Sequence, residues 1–138
     1  MAERKVSHKG VRGKGHSGER DICDLLTKAL GLKEPLSRNI DQVKFGGADI
    51  IGLRPWAIEV KRQEQVTLVP FWRQARSQVT KRNPIPVVVY RKNHQPWRVM
   101  IPFVAVAKKK LVVDSKEYIT LEWDVFLQYV KSVYRGSK

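Results

Sequence analysis

Gly46-Gly47-Ala48-Asp49-Ile50-Ile51-Gly52-Leu53-Arg54-Pro55-Trp56-Ala57-Ile58-Glu59-Val60-Lys61 is the stretch on which the reading of this chain turns. Asp49–Gly52 and Trp56–Lys61 read as two strands separated by Leu53-Arg54-Pro55. Folded as a hairpin about that three-residue loop, they put Asp49 directly opposite Glu59. Facing residues of an antiparallel pair have Cβ atoms roughly 4.5–5.5 Å apart. Strand alternation places Ala57, Glu59 and Lys61 on one face and Ile58 and Val60 on the other. Two carboxylates and an ammonium therefore converge on one small area, with Ile50 and Ile58 serving the hydrophobic side.

Opposed carboxylates repel unless a cation intervenes. Two carboxylates with open positions filled by water and phosphate are how Mg²⁺ is usually held. Such an ion polarises a phosphate and acidifies an attacking water. Lys61 could then orient that water or offset the charge that builds on phosphorus. The same three residues could also form a solvated Asp–Glu–Lys cluster on an exposed sheet face, and the spacing alone does not separate the two readings.

The surrounding pattern is that of one α/β domain. A helix from Ser17 as cap carries the stripe Ile22, Leu25, Leu26, Ala29 and Leu30 and stops at Gly31. Glu19 shares the inward side of that stripe, whereas Asp21 and Asp24 lie outward. Residues 38–45 are extended by default. A second helix over 67–81 presents Leu68, Trp72, Ala75 and Val79 on one face, with Pro70 tolerated in its first turn. Val87–Tyr90 is a continuous apolar run, as expected of a central strand covered on both faces. The turn Lys92–Gln95 leads to a strand at Trp97–Ile101. A last helix, capped by Thr120, runs to about Tyr134 with Trp123, Phe126, Leu127 and Val130 inward. The order is α-β-β-β-α-β-β and a final helix, hence a mixed sheet flanked by helices.

Charge narrows the partner. Twenty-seven Lys and Arg against thirteen Asp and Glu give a formal net charge of +14 over 138 residues. Self-repulsion of that size is relieved by a polyanion, and nucleic acid is the expected one. No apolar run is long enough for a membrane-spanning helix. The single cysteine, Cys23, excludes an internal disulfide framework and thiolate zinc clusters. A cytoplasmic, reducing setting is expected. Residues 1–16 hold Arg4, Lys5, Lys9, Arg12 and Lys14 against Glu3, among glycines, and read as a flexible basic arm that touches DNA. Residues 17–138 then form the single folded domain. His8, His16 and His94 fall in the arm and a turn and are poor catalytic candidates. The four tryptophans read as core or interface anchors.

Asp49, then Glu59-x-Lys61 on the next strand, preceded by a helix bearing Glu19 and followed by a basic helix, resembles the PD-(D/E)XK nuclease superfamily over about residues 15–105. Within it the chain looks most like the Holliday junction resolvases of archaea, archaeal viruses and phages. Ala48 stands where the superfamily name has proline, a position that is loose across it. The resemblance implies a restriction-endonuclease-like αβββαβ core. It also implies Asp49, Glu59, Glu19 and the backbone carbonyl of Val60 as metal ligands or positioners, and Lys61 as the catalytic cation. Mg²⁺ is the implied cofactor, with Mn²⁺ as a substitute. Ser37 and Arg38 sit where resolvases carry a polar pair near the scissile phosphate. Arg73, Gln74 and Arg76 read either as solvated helix residues or as phosphate contacts. The expected activity is structure-selective cleavage of branched DNA by a homodimer, since paired cuts across a four-way junction suit two-fold symmetry. Two alternatives are a nuclease of the same fold acting on ends, nicks or single strands, and a basic nucleic-acid-binding module without chemistry.

Overall fold

Alternation along the two longest strands splits the interior into two cores, one on each face of a sheet. The computed structural model describes the backbone of residues 8–39, 47–108 and 116–134, and the side chains of 18–39, 47–108 and 116–134. The elements are α1 (His8–Leu30), β1 (Ser37–Arg38), β2 (Ile50–Ile51), β3 (Trp56–Gln63), α2 (Leu68–Ser77), β4 (Ile85–Lys92), β5 (Arg98–Pro102), α3 (Phe103–Ala107), β6 (Tyr118–Glu122) and α4 (Trp123–Val133). The six strands form one sheet in the order β1-β2-β3-β4-β5-β6. Only β3 and β4 run parallel, so the sheet is mixed, as read from the sequence.

On one face Ile58, Val87, Val89 and Val99 meet Ile22 and Leu26 of α1 and Phe126 and Val130 of α4. On the other, Val88, Tyr90 and Met100 meet Phe71, Trp72 and Ala75 of α2. β4 is therefore covered twice, which is why Val87–Tyr90 is apolar without alternation. Each fully buried isoleucine or valine contributes about 1.5–3 kcal/mol. Trp56, Trp72 and Trp97 are buried, and the Trp56 indole N–H donates to the Tyr129 hydroxyl at 3.2 Å. α1 ends as its glycine suggests: Gly31 takes φ 61° and donates to Lys28 O, while the Leu32 amide donates to Thr27 O.

Several expectations are corrected. α1 begins at His8 rather than Ser17, so the backbone of residues 8–16 is helical. Once a helix is nucleated, each added turn needs no new nucleus, and isolated glycines weaken but do not forbid it. Arg4 and Lys5 lie outside the described residues, as do the side chains of Lys9, Arg12 and Lys14 and residues 40–45. Leu25 is 41% exposed, and Cys23 takes its place in the core. α2 stops at Ser77, leaving Val79 at the surface and bringing Phe71 inward. Thr120 does not cap the last helix. It lies in β6 opposite Met100, and the helix starts at Trp123.

Candidate active site

The hairpin register is the one the loop length requires. Ile50 pairs with Ile58 across antiparallel β2 and β3, which sets Asp49 across from Glu59. The Asp49 amide donates to Ile58 O at 3.0 Å, and Asp49 Oδ2 accepts the Val60 amide at 2.8 Å. Asp49 is thus pinned to β3 through both backbone and side chain. Gly52 completes the bend at φ 107°, in a region that excludes most side chains.

Glu59 points toward the core formed with α2, sharing that face with Lys61, Val88 and Tyr90. It is only 1% exposed, yet its Oε1 has no hydrogen-bond partner. Burial first, then the charge and hydrogen bond of Asp49, push its carboxyl up to about 9; Lys61 opposes the shift and Glu19 adds slightly to it. Near neutrality the Asp49–Glu59 pair therefore retains a proton. A buried carboxylate oxygen without a donor, beside a second carboxylate, is the arrangement that a divalent cation relieves. Among the described residues no group of three or more His, Cys, Asp or Glu side chains is gathered for a metal. The side-chain donors that could hold an ion here are the two carboxylates of Asp49 and Glu59, which would suit an ion that keeps most of its waters.

Lys61 projects from the same face, its Nζ 5.7 Å from the centre of the Phe71 ring. The ring holds the ammonium beside Glu59 without neutralising it. Glu19 comes from the other layer, on α1, and its Oε2 accepts from Arg38 Nε at 2.9 Å. The structure thus brings Asp49, Glu59 and Lys61 together and ties Glu19 to Arg38 at their edge. Ser37, Arg73, Gln74 and Arg76 are exposed.

One positioning residue escaped the sequence reading. Asn39 donates through its side chain to Ala48 O at 2.9 Å and through its amide to Asp49 O at 2.7 Å. It thereby clamps the turn that delivers Asp49, where Gly47 takes φ 93°. Nothing in the local pattern around residue 39 signals this, because its partners are nine and ten positions away.

A helix, three strands, a second helix and a parallel fourth strand, with an aspartate entering the second strand and Glu-x-Lys on the third, define a PD-(D/E)XK nuclease. Residues 10–134 match the family described as "Phage putative PDDEXK endonuclease", and the chain belongs to that family. Neither a curated protein nor a solved structure matches it. PD-(D/E)XK nucleases typically use divalent metals. Among the described residues no helix is long and apolar enough to cross a membrane.

Proposed function

We propose that this protein is a Mg²⁺-dependent DNA endonuclease that cuts branched DNA, with four-way junctions as the substrate and a homodimer as the working form. The observation that carries the chemistry is the buried Asp49–Glu59 pair with its unpartnered Glu59 Oε1 and Lys61 on the same face. Asp49 and Glu59 would hold the ion, with the Val60 carbonyl next along β3 and Glu19 at the edge. Mn²⁺ would substitute for Mg²⁺. When bound, the ion supplies Lewis acidity toward the scissile phosphate and lowers the pKa of a coordinated water.

The residues of the chain do the rest. The Val60 amide fixes one oxygen of Asp49, so the carboxylate is oriented before substrate arrives. Lys61 cannot ligate a metal, because an ammonium offers only donors. Its role is to orient the attacking water or to stabilise charge on the phosphoryl oxygens as it develops. Burial by α2 keeps the local dielectric low and strengthens both effects. The preference for branched DNA rests on the resemblance to junction resolvases, and the net charge of +14 supports a polyanionic substrate.

Incubating the full chain with a labelled four-way junction and a matched linear duplex, with Mg²⁺ or with EDTA, tests the reading. Paired cuts in the junction, seen only with Mg²⁺, are expected. Equal cleavage of the duplex would discard the junction preference, and no cleavage of either would discard the nuclease reading.

A further inference from the structure

Beyond Glu59 the parallel strands continue together, and Arg62 of β3 lies in register with Arg91 of β4. Register partners in a parallel pair share a face. This one is the face of Val60 and Val89, opposite that of Glu59 and Lys61. Two guanidinium groups are therefore neighbours on strands about 4.8 Å apart. Both Nε atoms are buried without an acceptor, and neither side chain has an ion-pair partner among the described residues.

Packing constrains the Arg91 guanidinium and the base of the Arg62 side chain. The Arg91 guanidinium lies 4.4 Å from the centre of the Trp97 ring. α1 closes over the other side at Gly18, where an added Cβ would sit 3.5 Å from Trp97 and 3.6 Å from Arg62. Burial, and then the charge of Arg62, bias Arg91 against its protonated form, with Asp21 opposing them. A cavity of about 730 Å³ opens at Arg91, lined also by Lys92, Trp97, Arg98, Glu122 and Asp124.

Two adjacent cations with buried, unanswered N–H groups cost stability unless an anion is shared between them. Guanidinium forks match the oxygens of phosphate in both shape and charge. We propose that Arg62 and Arg91 together bind one backbone phosphate of the DNA, as a subsite separate from the Asp49–Glu59 centre. The assignment of the phosphate to DNA rests on the nuclease reading above. Three residues of strand, about 10 Å at ~3.3 Å per residue, separate Arg62 from Glu59. The two side chains leave the sheet on opposite faces, so the phosphate lies across the sheet from the Asp49–Glu59 centre.

The test compares wild type with Arg62→Gln, Arg91→Gln, the double variant, and Lys33→Gln as a control for lost charge on exposed Lys33. Junction affinity is measured in EDTA over a range of salt. Each arginine variant should lower the slope of log affinity against log salt by about 0.9, and the double variant by little more, because one phosphate is shared. Without DNA, the variants should melt at or above the wild-type temperature, since repulsion between two adjacent cations has been relieved. Arg62→Lys and Arg91→Lys keep the charge without the fork and serve if a glutamine variant fails to fold; they should recover only part of the affinity. Slopes equal to that of Lys33→Gln would overturn the subsite, even if metal-dependent cleavage persists. If wild type neither binds nor cuts DNA, the nuclease reading falls and inorganic phosphate decides the anion site. The site then stands if phosphate raises the melting temperature of wild type but not of the arginine variants, and falls otherwise.

Discussion

Glu59→Gln isolates the electrostatic core of the site. In the metal-free protein the Glu59 carboxyl is held up at about 9, against an ordinary value of 4.5. The folded state therefore keeps a proton that the unfolded chain has already lost, throughout the window from about pH 4.5 to 9. The contribution is fully present below the unfolded pKa and is lost as pH rises through that window. Each pH unit within it removes roughly 1.4 kcal/mol, so the step from pH 6 to pH 8 removes roughly 3 kcal/mol. For a domain of this size that is a fall of about 10 °C in melting temperature. Glutamine is permanently neutral, has nearly the same shape, and can donate to Asp49 as the protonated acid does. The variant should therefore melt at almost the same temperature at pH 6 and pH 8. Mg²⁺ or Mn²⁺ should raise the melting temperature of wild type, more at pH 8 than at pH 6, and leave the variant unmoved. Differential scanning calorimetry of both proteins in EDTA and in each metal measures these quantities. Parallel pH curves for the two proteins would refute the account of a buried pair sharing a proton. A metal response retained in the variant would remove Glu59 from the ion's ligands.

Three further outcomes follow from the geometry. Lys61→Ala should abolish most cleavage while gel-shift affinity for the same junction stays near wild type, one cation among 27 contributing little to the total attraction; near-normal cutting would show the Glu-x-Lys spacing to be accidental. Asn39→Ala leaves the Ala48 carbonyl without its side-chain donor, which should cost about 1–2 kcal/mol and also weaken Mn²⁺ binding in a calorimetric titration; lost stability with unchanged metal affinity would make Asn39 structural only. Gly52→Ala meets both a φ of 107° and the Leu36 side chain at 3.0 Å, so a loss on the order of 1–3 kcal/mol is expected by chemical denaturation.

The sequence by itself determined the Asp49–Glu59 juxtaposition, the shared face of Glu59 and Lys61, and the doubly covered strand at Val87–Tyr90. Each follows from local rules: a loop length sets a hairpin register, a period of two sets faces, and a run without alternation marks burial on both sides. The glycine stop of α1 was legible for the same reason. Tertiary structure alone decided the rest. Residues 118–122 are half-exposed without clean alternation, so only the open edge of β5 reveals β6, and a threonine read as a helix cap becomes a strand residue. The partner of Glu19 could not be read, because Arg38 reaches it across nineteen positions of chain. Asn39 and the Arg62–Arg91 pair were invisible on similar grounds, since their meaning lies in neighbours that other elements bring. The state of Glu59 depends on α2 covering it: the carboxyl comes to hold its proton through lost water and a neighbouring charge, and both are supplied by packing rather than by the residue itself.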